Sequence, residues 1–216
     1  MFINSRAPIR ICDNGGWADT WFARYGQIFN IAVAPYVEVL VKASPAPDGV
    51  TQATIQAENF GDDYLWVPGS GWDRHPLLEA AIQSMDLPAG LSLEINLFSE
   101  APSGASTGTS AAVTVALLGA LDCLTPGRMA RHEIALAAQR VETELLGQQC
   151  GIQDQLASAY GGINFIDMDD YPHAIVQPIH LPTPLEWELE SRLALVYLGG
   201  AHSSSAVHEL VIRELE

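Results

Sequence analysis

The sequence predicts an α+β domain in which an antiparallel or mixed sheet packs on helices. Residues 91–98 alternate apolar and polar side chains, which is typical of a half-buried strand. Soon afterwards the apolar segment 111–121 indicates a buried helix, and we place that helix at 109–123. A second helix is predicted at 129–146, where apolar residues recur on one face.

The remaining elements follow from the same two periodicities. Before residue 91, strands are predicted at 5–12, 26–42 and 51–58, and a short helix at 77–85. The segment 26–42 is either one bent strand or a hairpin broken near Pro35. After residue 146, strands are predicted at 164–168, 174–179 and 193–198, with a looser proline-containing stretch before the last, and a helix at 206–216.

The composition restricts the class of protein. Of the 216 residues, 48% are hydrophobic and 17% charged, which is enough apolar material for one substantial core. The formal net charge of −16 argues against nucleic acid and anionic membranes as partners, because both need a basic surface. Three widely spaced cysteines (Cys12, Cys123 and Cys150) and the lack of a membrane-length apolar run lead us to expect a cytoplasmic protein.

A loop of small residues separates the strand at 91–98 from the helix that follows it. This loop includes Pro102, Gly104, Ala105, Ser106, Thr107, Gly108, Thr109 and Ser110. A helix N-terminus presents backbone N–H groups to a phosphate, and the helix dipole favours the negative charge. The alternative is a plain loop that ends in a Ser/Thr N-cap. The loop lacks the Gly-Lys-Ser/Thr of a Walker A motif.

This loop resembles the central phosphate-loop motif of the GHMP kinases, which runs Pro-x-x-x-Gly-Leu-Gly-Ser-Ser-Ala-Ala. Pro102, Gly108 and Ser110 match, as do the two alanines that follow, whereas Ser106 and Thr107 replace the Gly-Leu pair. We call residues 102–110 the phosphate loop.

Two further segments are similar to the same family, in the family's order. Arg-Ala-Pro-x-Arg at 6–10 and Gly-Gly-Trp-x-Asp-Thr at 15–20 resemble the first motif of fucokinases and heptose-phosphate kinases. Cys-Gly-Ile-x-Asp-Gln at 150–155 is similar to the galactokinase segment that carries the catalytic aspartate. From the residue pattern alone, Asp154 could equally be an acid that stabilises a helix N-terminus.

The resemblance implies an ATP-dependent sugar kinase that uses Mg²⁺ and phosphorylates a hydroxyl of a fucose- or heptose-like sugar or sugar phosphate. It implies that the phosphate loop binds ATP, and that Ser110 and Glu142 bind Mg²⁺, with Glu144 as the fallback ligand. Asp154 would accept the proton or orient the hydroxyl, and Arg10 would stabilise the transferring group. Asp19, with Gly16 and Trp17, would bind the sugar.

The resemblance also gives an expectation for domain organisation. Residues 1–190 would form the N-terminal domain of a GHMP kinase, and 191–216 would begin a C-terminal domain that stops short. A homodimer or a partner chain could then supply the missing domain. A second hypothesis is a truncated or pseudokinase form that binds sugar or nucleotide without turnover.

Overall fold

The computed structural model describes residues 1–102, 104–199 and 212–213, and within these ranges a seven-stranded mixed sheet packs against helices. The strands are β1 (Phe2–Asn14), β2 (Gly26–Pro45), β3 (Gln52–Ala57), β4 (Asp62–Trp66), β5 (Leu91–Ser99), β6 (Ile163–Asp170) and β7 (His173–Ile179). The helices are α1 (Pro76–Ser84), α2 (Thr109–Asp122), α3 (Arg131–Arg140), α4 (Gln153–Tyr160) and α5 (Thr183–Arg192). A 3₁₀ turn covers Glu58–Phe60, and a π-helical turn covers Val141–Leu145. The predicted α+β class is confirmed.

The long strand β2 organises the sheet. Its first half pairs antiparallel with β6, its second half pairs antiparallel with β5, and β1 pairs with both halves. Beyond β5 lie β3, which is parallel to it, and β4. The pairing with β1 shifts in register between Pro8 and Ile9, whose partners are Tyr36 and Val33. The break near Pro35 is therefore a bulge within one strand rather than a hairpin.

The main core lies between the sheet and α2. Alternate residues of β2, such as Val37 and Val39, are fully buried, whereas Glu38 and Leu40 between and beyond them are exposed. Opposite them, α2 carries no charged side chain before Asp122 and is buried on nearly every side. Each fully buried aliphatic side chain contributes about 1.5–3 kcal/mol, so this layer holds α2 firmly against the strands.

A smaller apolar cluster lies beneath α4. It is formed by Ile28 of β2, Ile152 and Leu156 around α4, and Ile166 and Met168 of β6. This cluster fixes the start of α4, where the Cys-Gly-Ile-x-Asp-Gln motif at 150–155 is found.

The structure corrects several predicted elements. The segment 193–198 is irregular rather than a strand, and its side chains are exposed because no neighbouring strand pairs with it in the described part of the chain. The helix predicted at 129–146 is regular only to Arg140 and then widens into the π-helical turn. β4 lies where no regular element was predicted, and α5 begins in the proline-containing stretch that was expected to be looser. The predicted helix at 206–216 lies outside the described residues except for 212–213.

Two further features concern the cysteines and the length of the helices. All three cysteines are free thiols. Within the described ranges, none of the helices has the length and apolar character that a membrane crossing would require.

Candidate active site

Residues 102 and 104–108 of the phosphate loop form an irregular connection between β5 and α2, as predicted, and Thr109 and Ser110 begin α2. Gly108 is the N-cap of α2 and has a φ of +72°, in the left-handed region. The alternative interpretation, in which a serine or threonine is the N-cap of this helix, is therefore wrong. Because glycine has no side chain to cap the helix, the first N–H groups of α2 are left for another acceptor. Ser103 lies outside the described residues.

Arg10 joins β1 to the phosphate loop and to α4. Its Nε and Nη2 each lie 2.7 Å from Oδ1 of Asp154, and its Nη1 donates to the carbonyl of Ser106 at 2.8 Å. The backbone N–H of Arg10 also donates to the carbonyl of Thr107. Burial alone would lower the pKa of Arg10, but the Asp154 carboxylate raises it above its ordinary value. Arg10 and Asp154 are therefore in direct contact and do not lie on opposite walls of the cavity.

Asp154 lies in the first turn of α4 and faces the N-terminus of α2. A Cβ at position 108 would lie 3.2 Å from the carboxylate carbon of Asp154, so any other residue there would push the Asp154 side chain aside by a few tenths of an ångström. The Asp154 side chain is 29% exposed and therefore still reaches the open space in front of the loop.

The π-helical turn determines which acid faces inward. Glu142 is 5% exposed, accepts a hydrogen bond from Nε2 of Gln155 at 2.9 Å, and also accepts one from the hydroxyl of Ser110. Burial raises the pKa of Glu142 to about 7. Glu144 points outward and forms an exposed ion pair with Arg140. Glu142, and not the fallback Glu144, therefore faces the phosphate loop.

Asp19 is held by the segment that carries Asp154. Its two carboxylate oxygens accept hydrogen bonds from the backbone N–H and from Nε2 of Gln153, at 2.9 and 3.0 Å. The same Nε2 donates to the carbonyl of Gly16, and a Cβ at Gly151 would collide with the Asp19 carboxylate. Burial raises the pKa of Asp19, although the hydrogen bonds from Gln153 oppose this. Asp19 thus anchors the turn at residues 15–20 to the start of α4.

These groups surround one cavity of about 800 Å³. Of the predicted site residues, it is lined by Arg10, Trp17, Asp19, Pro102, Gly104, Ala105, Ser106, Gly108, Thr109, Ser110, Glu142 and Asp154. Gly16 and Thr107 are not among the lining residues, and they contribute through the backbone carbonyls that accept from Gln153 and Arg10.

Several lining residues were missed or misjudged from the sequence. Gln153 and Gln155 flank Asp154, and their amides donate to Asp19 and Glu142, respectively. Their positions on either side of Asp154 were the signal in the sequence that could have identified them. His75 also lines the cavity, and its Nε2 lies 2.7 Å from Oδ2 of Asp62. Asn59 lines the cavity as well, and its side-chain amide pairs with both backbone groups of Ser99.

Comparison with known proteins agrees with this geometry. Residues 76–162 match the family model described as the GHMP kinases N terminal domain. The chain is 30% identical to D-glycero-alpha-D-manno-heptose 7-phosphate kinase of Campylobacter jejuni, over 96% of this chain and 62% of that protein. It is 26% identical to the bifunctional fucokinase/GDP-fucose pyrophosphorylase of Arabidopsis thaliana, over 97% of this chain and 21% of that protein.

A solved structure of a sugar kinase has a similar fold. The D-glycero-D-manno-heptose 1-phosphate kinase from Bacteroides thetaiotaomicron superposes with a TM-score of 0.75 and 25% identity, covering 88% of this chain and 64% of that one. Residues 76–162 therefore match the N-terminal domain of the GHMP kinases, and the fold of the chain is similar to that of a solved heptose 1-phosphate kinase. The chain's relatives include sugar kinases, and the chain spans less than two thirds of the length of those just described.

Proposed function

We propose that this protein is an ATP-dependent sugar kinase that transfers the γ-phosphate of ATP to a hydroxyl of a sugar or sugar phosphate. The observation that carries this proposal is the approach of the Asp154 carboxylate to Gly108 at the N-terminus of α2. That approach sets a proton acceptor beside a group of backbone N–H donors suited to phosphate.

In this proposal the phosphate loop and the N-terminus of α2 bind the phosphates of ATP. The chain is strongly acidic, so backbone dipoles rather than side-chain cations would provide much of the attraction. Transfer breaks the bond between the γ-phosphorus and the βγ-bridging oxygen, forms a bond to the sugar oxygen, and releases ADP. Phosphoryl transfer depends mainly on alignment and charge stabilisation, which a preorganised loop supplies.

Ser110 and Glu142 fit a magnesium ion. A hydroxyl and a buried carboxylate are hard oxygen ligands, and the raised pKa of Glu142 reflects burial that a nearby dication would offset. The described residues contain no cluster of three or more His, Cys, Asp or Glu that could hold a metal. Mg²⁺ commonly takes only one or two protein ligands and completes its shell with phosphate and water. When bound, the ion would neutralise charge on the phosphates.

Asp154 would receive the hydroxyl proton. Both contacts from Arg10 fall on Oδ1, so Oδ2 is the oxygen that would face the sugar. The guanidinium of Arg10 holds the carboxylate in place through two nitrogens that both contact Oδ1. Arg10 also lies close enough to the phosphate loop to stabilise charge on the transferring group.

The test is ADP release by the purified protein with Mg²⁺, ATP and a panel of sugars and sugar phosphates. We expect turnover, and we expect Asp154→Asn to lower kcat by roughly 10²–10⁴-fold with sugar affinity nearly unchanged. Asp86→Asn, at an exposed position outside the cavity, is the matched control and should keep the parent rate. Nucleotide binding without ADP release for any acceptor would overturn the kinase proposal in favour of a pseudokinase.

A further inference from the structure

The turn at residues 15–20 is closed by its own hydrogen bonds and lies against β2. The N–H of Ala18 donates to the carbonyl of Gly15 at 2.9 Å. The hydroxyl of Thr20 donates to the carbonyl of Trp17 at 2.7 Å. A Cβ at Gly15 would overlap the backbone of β2, so the base of the turn lies directly on the strand. Trp17 is 38% exposed and lines the cavity, and the turn therefore forms a wall of the cavity.

Gln153, the first residue of α4, holds this turn with both its side chain and its backbone. Its Nε2 donates to the carbonyl of Gly16 at 2.7 Å and to Oδ1 of Asp19 at 3.0 Å, which uses both hydrogens of the amide. Its backbone N–H donates to Oδ2 of Asp19 at 2.9 Å. Gln153 is 4% exposed, and a glutamine is rarely buried so deeply unless its polar groups are paired. The buried amide is therefore a direct link between the turn and α4.

Consecutive residues at the start of α4 are attached to different parts of the molecule. Ile152 belongs to the apolar cluster beneath the helix, whereas Gln153 reaches the turn. The side chain of Asp154 is bonded to Arg10. The fully buried side chain of Asn30 also donates to the backbone carbonyl of Gln153, at 3.5 Å. Removing only the side-chain amide of Gln153 would therefore release the turn and leave the pair of Asp154 and Arg10 in place.

The proposed reaction places the acceptor sugar beside this turn. Asp154 receives the hydroxyl proton in that proposal, so the acceptor hydroxyl must approach its carboxylate to within about 2.6–3.2 Å. The residue directly before Asp154 holds the turn, and Trp17 and Asp19 of the turn line the same cavity as Asp154. An acceptor in contact with Asp154 would therefore meet the turn as well.

We infer that Gln153 is a positioning residue for the acceptor, which acts through Gly16 and Asp19 by holding the turn in a fixed place relative to Asp154. This inference rests on the proposed kinase function. With the link intact, the turn is in place before the acceptor binds, so binding does not bear the cost of ordering it. Without the link, acceptor binding would weaken. The phosphate loop is bonded to Arg10 rather than to Gln153, so nucleotide binding would be unchanged.

The test is the kinetics and acceptor binding of Gln153→Met, which roughly keeps the side-chain volume and removes the amide. Phosphoryl transfer is measured with Mg²⁺ and ATP, using L-fucose and a heptose 7-phosphate as acceptors, and acceptor binding is measured by calorimetry. We expect KM and Kd for the acceptor to rise about tenfold, because one of the lost hydrogen bonds is to a charged group. We expect kcat to fall by less than about threefold and KM for ATP to stay within about twofold.

Gln139→Met is the matched control. Gln139 is also a buried glutamine, its Nε2 donates to the hydroxyl of Tyr171 at 2.6 Å, and it is not among the residues that line the cavity. This variant should lower the melting temperature to a similar extent as Gln153→Met but leave both KM values unchanged. An unchanged acceptor KM in Gln153→Met, or equal rises in the KM values for acceptor and ATP, would overturn the inference and leave the kinase proposal standing.

Failure of the kinase proposal would look different. If the parent released no ADP with any acceptor, that proposal would be overturned, and the calorimetric comparison of parent and Gln153→Met would decide the inference. Should Gln153→Met not fold, Gln153→Asn takes its place, because its shorter side chain keeps an amide that cannot reach both acceptor atoms. We expect the same selective rise in acceptor KM from Gln153→Asn.

A double-mutant cycle tests whether Gln153 acts through Asp19. If it does, Gln153→Met should raise the acceptor KM much less in an Asp19→Asn background than in the parent. Fully additive effects of the two substitutions would mean that Gln153 contacts the acceptor directly, and they would overturn the positioning role.

Discussion

Arg10 and Asp154, which are 144 residues apart in sequence, meet through two guanidinium nitrogens that each lie 2.7 Å from one carboxylate oxygen. The third nitrogen of Arg10 donates to the carbonyl of Ser106. One side chain therefore connects β1, the phosphate loop and α4. Removing one member of such a partly buried pair leaves the other charge without compensation, which costs more than breaking an exposed pair.

Arg10→Lys should destabilise the fold by about 1–3 kcal/mol, because a lysine ammonium cannot make the three separate contacts of the guanidinium. The measurement is urea unfolding of the purified protein. Arg6→Lys is the matched control on the same strand, since Arg6 forms an exposed pair with Glu38, and it should change stability by less than about 0.5 kcal/mol. Equal losses in the two variants would contradict the tethering role of Arg10.

Ser106→Gly should stabilise the protein by about 0.5–1 kcal/mol. Ser106 has a φ of 59°, where a residue with a Cβ is strained by roughly 1–2 kcal/mol, and this outweighs the extra freedom of glycine in the unfolded chain. Ser106→Ala keeps the strain and removes only the hydroxyl, so it should show no such gain. The comparison is made by thermal and urea unfolding of both variants. A gain in stability in Ser106→Ala but not in Ser106→Gly would refute strain as the cause.

Two glycines of the α2 region should respond oppositely to alanine. Gly108→Ala should cost about 1–2 kcal/mol, because φ is +72° and the new Cβ would press against Asp154. Gly119→Ala lies inside the helix, where the Cβ meets Ser5 at an ordinary 3.5 Å, and should stabilise by about 0.5–1 kcal/mol. Circular dichroism melts of the two variants measure the difference, and matching signs would rule out this account of the loop–helix junction.

Glu142 should make stability in metal-free buffer fall with pH. Its pKa rises from 4.5 in the unfolded chain to about 7 in the fold, so the folded state binds more protons between these values. Its favourable contribution is fully present below about pH 4.5 and is lost as pH rises through about 7. Glu142→Gln can keep both hydrogen bonds without the charge. The difference in free energy of unfolding between the parent and this variant should therefore change by up to about 3 kcal/mol from pH 4.5 to 8.

The readout is urea unfolding with EDTA across that pH range. Glu144→Gln is the control, because Glu144 is exposed on the same turn. Parallel pH curves for the parent and Glu142→Gln would show that Glu142 is not carrying the buried charge. We expect the Glu144→Gln curve to follow the parent within about 0.5 kcal/mol.

Local sequence patterns predicted the strand, loop and helix around the phosphate loop, because strict alternation at 91–98 and an uncharged apolar run after it leave little ambiguity. They could not predict the contact between Arg10 and Asp154, which depends on how β1 and α4 are positioned by the rest of the sheet. Helical periodicity also could not decide between Glu142 and Glu144, since the π-helical turn rotates the chain at that point.

Two elements were missed for identifiable reasons. β4 lies at the edge of the sheet and begins with Asp62 and Asp63, whose polarity is typical of a loop. The prolines at 182 and 184 suggested irregular structure, yet Pro184 stands in the first turn of α5, where a missing N–H costs nothing.

Because β2 is hydrogen-bonded to β6 through its first half and to β5 through its second, the segments bearing Asp154 and the phosphate loop are attached to a single continuous strand. Neither half of the sheet can open fully while the other stays intact, so the domain should behave as one cooperative foldon. Protected amides on both sides of the bulge at Pro35, such as those of Ile28 and Val39, would then exchange with deuterium through the same global unfolding event. Local fluctuation would remain confined to the exposed ends of the chain and to the edge strands.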